Sequence, residues 1–282
     1  MFQPGVLDHT EAVNMGKIIC VANQKGGVGK TTTVVNLSAS LAAAHKKSIF
    51  IDFDPQGNAT SGVGIDKERV EKSIYNAIIG DVDIRETIVE LQPEILKGYL
   101  SVTPSNSSLT GAEIELIYVE RREWRLKDVI EPIVNEYDYI FIDSPPSLSL
   151  LTVNALTAAN SVIIPVQCEY YAMEGLGQLK RTISLINQRL NPNLEIEGYL
   201  LTMFDARNKI CHVVANEVID YFKDLVFQTR IPRNVRLAEA PSHGKPALLY
   251  DSKSAGAESY IYLAQEIIAR HGGEKVEESH FG

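Results

Sequence analysis

Short, almost wholly apolar runs alternate along this chain of 282 residues with longer stretches whose apolar positions recur every three or four residues. The short runs, at 18–22, 48–53, 99–102, 139–143, 161–166, 199–203 and 225–229, predict buried strands. The longer stretches, at 32–45, 84–91, 124–136, 150–159, 175–190, 212–222 and 255–270, predict helices. Strands that are apolar at every position have no solvent face, and helices placed between them serve as crossovers. The expected fold is α/β: a single domain on a mostly parallel twisted sheet with helices on both faces. Residues 1–14 read as a flexible, turn-rich N-terminal extension, 15–270 as the domain, and 271–282 as a polar C-terminal tail.

The first strand and first helix are joined by NQKGGVGKTTT, residues 23–33. Glycines there let the backbone turn and approach a ligand closely, and the following helix N-terminus aims free N–H groups at an anion. This is a P-loop spacing, in which Lys30 reaches the β- and γ-phosphates and the Thr31 hydroxyl ligates Mg²⁺. Gln24 stands where the usual pattern has its first glycine, and Lys25 adds a second positive charge suited to stabilising phosphoryl transfer. The candidate nucleotide loop is thus Lys25, Gly26, Gly27, Val28, Gly29, Lys30, Thr31 and Thr32. Two further strands end in acids, at Asp52 and Asp54 and at Asp143. Carboxylates at strand ends are where open α/β sheets bind ligands. Asp143, in the Walker B position, holds Mg²⁺ through water, which makes Thr31, Asp54 and Asp143 the candidate magnesium residues. The fold expected is therefore a P-loop NTPase.

Composition narrows this picture without changing it. Hydrophobic residues make up 45% of the chain, as in ordinary globular proteins. Its three cysteines, Cys20, Cys168 and Cys211, are widely spaced with no CxxC pair. They argue for a reducing cytoplasm and core packing, against disulfides, zinc or a cluster. No run approaches the length of a membrane span, and no basic-then-apolar leader opens the chain, so a soluble, unexported protein is expected.

The strings NQKGGVGKTTT, DFDPQGN at 52–58, FIDSPPSLSLLTVNAL at 141–156, LLTMFDARN at 200–208 and IPRNVRLAEAPSHGKP at 231–246 together resemble the ParA/Soj chromosome-partitioning ATPases of the deviant Walker A (MinD/ParA) class. They are spread over nearly all of residues 15–270. The resemblance implies ATP and Mg²⁺ as cofactors and catalytic roles for Lys25, Lys30 and Asp54. Lys25 would reach the nucleotide of the partner subunit in an ATP-bound homodimer, and Asp54 would orient the attacking water. Pro232 and Asn234 would lie against the adenine. It also implies non-specific binding to double-stranded DNA by the dimer, stimulation of hydrolysis by a ParB-type partner, and a nucleoid-associated, cytoplasmic protein.

The net charge of −9 looks unfavourable for DNA, but its distribution matters more than its sum. Between 228 and 245 the chain carries Arg230, Arg233, Arg236 and Lys245 against Glu239 alone. Arg207, Arg236 and, ranked below them, Arg233 are the candidate DNA contacts. No spare segment could hold a helix-turn-helix, so base-specific readout is not expected. The competing readings are a MinD-like membrane-cycling ATPase and a metabolic P-loop enzyme. The first needs a basic amphipathic C-terminus, whereas here Glu274, Glu277 and Glu278 outnumber Lys275. A cluster-bridging reductase needs paired cysteines that the 141–146 region lacks. Residues 58–64 and 144–151 follow the acidic strand ends and are candidate nucleotide-responsive loops.

Overall fold

The computed structural model describes residues 16–169 and 172–272. Among them, strands β1 (Lys17–Val21), β2 (Ser48–Asp52), β3 (Val89–Glu90), β4 (Leu100–Thr103), β5 (Tyr139–Asp143), β6 (Ser161–Gln167) and β7 (Glu195–Thr202) form one sheet in the order β3-β4-β2-β5-β1-β6-β7. Every pairing is parallel except β3 with β4, at the edge. The helices are α1 (Lys30–Ala43), α2 (Asn58–Gly62), α3 (Ile74–Ile79), α4 (Leu109–Glu115), α5 (Arg125–Ile130), α6 (Leu150–Ala158), α7 (Ala172–Arg189), α8 (Lys209–Phe222), α9 (Val235–Glu239), α10 (Ala247–Tyr250) and α11 (Ala255–Arg270).

Both sheet faces are buried, which is why the central strands carry no polar alternation. In β1, Ile18 and Cys20 enter one core while Ile19 and Val21 enter the other. β2 divides in the same way, with Ile49 and Ile51 opposite Phe50. Residues from α3–α8 line the first core, and α1, α10 and α11 the second. In α11 the apolar stripe Ile261, Leu263, Ala264, Ile267 and Ile268 is buried in this second core. Among the described residues no helix is long and apolar enough to cross a membrane.

Three of the expected elements need correction. The segment 84–91 is not a helix: a 3₁₀ turn at Ile84–Thr87, capped by the Asp83 side chain, leads into edge strand β3. Its β-branched residues suit an extended edge better than a helix interior. The run 225–229 pairs only through one bridge, Tyr199 to Val226. The N–H groups of Gln228 and Thr229 donate to the Glu266 carboxylate at 2.9 and 3.1 Å, so a side chain of α11 replaces a neighbouring strand. The helix expected at 124–136 ends its α-helical part at Ile130, and Glu131–Glu136, containing Pro132, continues as 3₁₀.

At the far end of the sheet, His271, assigned to the tail from sequence, belongs with the fold. Its Nε2 lies 3.0 Å from Glu197 Oε1, and Lys17 Nζ lies 3.1 Å from Glu197 Oε2. The extension 1–14 and the tail from 273 lie outside the described residues. All three cysteines are free and buried.

Candidate functional site

The C-terminal ends of β1, β2 and β5 lie side by side, because β5 pairs with both neighbours. Val21 and Asp52 are each in register with Asp143. The P-loop, the Asp54 turn and the Walker B acid thereby meet at one edge, although more than a hundred residues separate the first from the last.

The loop is built for an anion. Gly27 and Gly29 have φ of +73° and +90°, a region side chains rarely adopt. Gly26 has neither positive φ nor any atom within 4 Å of where a Cβ would stand, so the space beside it is open to a ligand. Gly29 caps α1 without a side-chain hydrogen bond, which leaves the first N–H groups of the helix for phosphate oxygens. Val28 is buried, and its carbonyl accepts from Thr202 Oγ1 at 2.9 Å. Asn23 ties the loop to β6 by donating Nδ2 to Pro165 O at 2.7 Å, while its Oδ1 accepts from Lys25 N at 3.0 Å. Ser144 Oγ donates to Val21 O at 2.9 Å and binds the Walker B turn to β1. Thr202, Asn23 and Ser144 are supports that the sequence reading missed. All three lie inside the strings that carry the family resemblance, but their supporting bonds to Pro165, Val21 and Val28 are made through tertiary pairing, which no local pattern records.

A cleft of about 650 Å³ is lined by Gly26, Gly27, Gly29, Lys30, Thr31, Thr32 and Asp54, with Gln56, Asn58 and Ser61 of the loop and helix after β2. A second, mainly apolar cleft of about 220 Å³ shares Gly29, Thr32 and Met203 with it. Pro232, Arg233 and Asn234 line this second cleft, together with Leu237 and Tyr260. A cleft lined by the P-loop, Lys30 and Asp54 that shares residues with a mainly apolar cleft suits a polyphosphate attached to a flat ring. Lys25 is not among the lining side chains; its Nζ lies 2.6 Å from Glu169 Oε2.

Three carboxylates and one ammonium set the electrostatics. Asp143 is fully buried, and neither of its oxygens has a hydrogen-bond partner. Burial, then the neighbouring Asp52, push its pKa well above the carboxylate range, with Thr31 and Lys30 acting in the opposite direction. Asp52 is likewise pushed up to about 6 by burial, although it accepts from Thr60 N and Thr60 Oγ1, both at 2.7 Å. Thr60 Oγ1 in turn accepts from Ser105 N at 2.9 Å, so Asp52 knots the turns after β2 and β4 together. Asp52 is a support for this end of the sheet, whereas Asp54 faces the cleft and accepts from Gln56 N at 2.9 Å. Lys30 is buried, and burial lowers its pKa against the pull of Asp143 and Asp54. Its Nζ rests 3.4 Å from Lys25 O.

The donors at hand fit Mg²⁺. A hydroxyl and carboxylates are hard oxygen ligands, and a buried carboxylate with both oxygens unpartnered needs a cation or water to satisfy it. Among the described residues no three His, Cys, Asp or Glu side chains cluster tightly enough to hold a metal by themselves. A metal here relies on phosphate and water oxygens, as Mg²⁺ does in nucleotide sites.

The candidate DNA residues lie apart from the clefts, except Arg233. Arg207 is engaged by Asp205, with Nε 3.1 Å from Oδ1. Arg236 is engaged twice, by Glu239 at 2.9 Å and Asp251 at 3.1 Å. Arg233 makes no ion pair within 4 Å among the described residues. The candidate responsive segment 58–64 is largely helix α2, and 144–151 is a turn entering α6.

Comparison with known proteins agrees with this geometry. Residues 16–196 match the model of the AAA domain family AAA_31. The chain is 56% identical over 256 residues to "Chromosome partitioning protein ParA" of Myxococcus xanthus, covering 91% of this chain and 89% of that protein. It is also 56% identical over 255 residues to "Sporulation initiation inhibitor protein Soj" of Bacillus subtilis, covering 90% and 99%. A solved structure of cobyrinic acid a,c-diamide synthase from Mycobacterium smegmatis with bound ADP and magnesium superposes with a TM-score of 0.79 at 35% identity, over 93% of this chain and 98% of that one. With its P-loop, paired strand-end acids and near end-to-end likeness to a ParA and a Soj protein, the chain belongs to the ParA/Soj family of chromosome-partitioning ATPases.

Proposed function

We propose that this ATPase cycles between a monomer and an ATP-bound sandwich dimer that binds DNA non-specifically, and that a ParB-type partner triggers hydrolysis to drive chromosome or plasmid segregation. The observation that carries the reading is the convergence of Lys30, Thr31 and Asp54 on one polyphosphate-sized cleft, with Asp143 buried at the end of β5 in register with Asp52. That the M. smegmatis structure holds ADP and magnesium supports both cofactors here.

In this reading the free N–H groups of α1 and the Lys30 ammonium bind the phosphates. Thr31 and Asp143 would hold Mg²⁺, which would supply neutralisation of the phosphate charge. Asp54 orients the attacking water at the γ-phosphate. Pro232 and Asn234 receive the adenine in the apolar cleft. Lys25, about half exposed, extends to the nucleotide of the second subunit. Pairing two copies doubles the phosphate contacts offered by Arg233, Arg207 and Arg236, so affinity for DNA follows dimerisation. The protein would then sit on the nucleoid. A MinD-like membrane cycle is disfavoured because the apolar face of α11 is consumed by the core.

The test is a salt titration of binding to non-specific duplex, with ATP and with ADP, on wild type, Asp54→Ala, Arg233→Ala and Arg236→Ala. Binding that needs ATP, survives Asp54→Ala, weakens with the arginine changes and falls with salt is the expected result. No binding in either nucleotide state would overturn the reading in favour of a small-molecule or membrane-cycling ATPase.

A further inference from the structure

Lys25 has a carboxylate partner inside its own chain. Glu169 stands between β6 and α7, and β6 runs beside β1, which leads into the P-loop. Its carboxylate is held on both sides: Gln167 Nε2 donates to Oε1, and Lys25 Nζ donates to Oε2 at 2.6 Å. The backbone around it is equally set, with Glu169 N donating to Gln167 O at 2.8 Å and Glu169 O accepting from Ala172 N at 2.9 Å. Lys25 is anchored to the same strand from the other side, through Asn23 and Pro165. Both halves of the ion pair therefore hang from β6, and their meeting is preset by the fold.

We propose that Glu169 parks Lys25: it is a positioning residue that keeps the ammonium on its own subunit until the phosphates of a partner subunit's nucleotide compete for it. This rests on the reading that Lys25 crosses the dimer interface. A nucleotide offers several negative oxygens against one carboxylate, so the exchange runs toward the dimer once both nucleotide and partner are present. The two side chains are 49% and 50% exposed. Such a pair is weak and sets a concentration threshold for dimerisation rather than a lock. Each dimer breaks two of these pairs, which doubles the effect in free energy.

The experiment is sedimentation with Mg²⁺ and a non-hydrolysable ATP analogue, on wild type, Glu169→Gln, Glu169→Asp, Lys25→Ala and the Lys25→Ala, Glu169→Gln double variant. Glu169→Gln keeps size and an acceptor for Gln167 but removes the charge. It is expected to dimerise at roughly 3- to 30-fold lower protein concentration. Glu169→Asp, one methylene short, should move the same way. Neither should alter the affinity of dilute monomer for the analogue, which a purely structural role beside the loop would change. In the Lys25→Ala background, Glu169→Gln should do nothing. If Lys25→Ala abolishes the dimer and Glu169→Gln dimerises no more readily than wild type, the parking role is refuted while the crossing lysine stands. If Lys25→Ala dimerises as readily as wild type, the crossing lysine fails and the parking role with it.

Discussion

Glu197 gives the sharpest test of how the far end of the sheet is held. Burial by itself would raise its pKa, but hydrogen bonds from His271 and Ser161 and the charges of His271 and Lys17 reverse the direction, so it falls from 4.5 to about 2. A carboxylate whose folded pKa lies below its unfolded value contributes stability that is full above the unfolded value and disappears as pH falls toward the folded one. The window here is from about pH 5 down to about pH 2. The whole difference corresponds to about 3 kcal/mol. Lys17 is 32% exposed and its contribution is partly screened, so about 2 kcal/mol is the expected loss for Glu197→Gln at pH 7. About three quarters of that should remain at pH 4 and less than half at pH 3. Urea unfolding of wild type and variant, at steps between pH 7 and pH 3, measures both the size and the slope. A difference under about 0.5 kcal/mol at pH 7, or one that stays constant through the window, would show that Glu197 does not anchor the end of α11 by charge.

Two glycines of the P-loop should separate ligand space from backbone need. Gly27→Ala meets positive φ and is expected to cost about 1 kcal/mol of stability or more, whereas Gly26→Ala should unfold with wild type yet bind nucleotide at least tenfold more weakly; thermal unfolding with and without nucleotide reads both, and equal binding by Gly26→Ala would contradict the open-space argument. Gly198→Ala places a Cβ 2.6 Å from Phe227 Cε2 and 2.9 Å from Leu225 O, and should lower stability by about 1–3 kcal/mol without changing nucleotide affinity. An unchanged urea midpoint would mean that the 223–227 segment moves aside freely.

Much of the architecture is legible in the chain because burial on both faces leaves an unmistakable trace. Runs such as Ile18–Ile19–Cys20–Val21 and Ile140–Phe141–Ile142 have no polar position to spare, and helices must lie between them. The P-loop is legible for a different reason: glycines and a lysine at fixed offsets are dictated by the phosphate, not by the packing. For one expected element a distant residue decided the outcome. The 225–229 run looks like a strand, but Glu266 of α11 takes its N–H groups. Helices α3 and α4 carry too few turns to show a period.

The sequence alone determined an α/β core, a nucleotide loop at 23–33 and acids at two strand ends, since local pattern and ligand chemistry specify each of these. Only the tertiary structure decided that β5 lies between β1 and β2, which brings Asp143 level with Asp52 and sets Asp54 beside the P-loop. It alone decided which acid faces the cleft and which serves as a knot, that the arginines most favoured from sequence are already ion-paired, and that Lys25 rests on Glu169. Strand order and side-chain partnership depend on contacts between residues far apart in the chain, and no local periodicity records them.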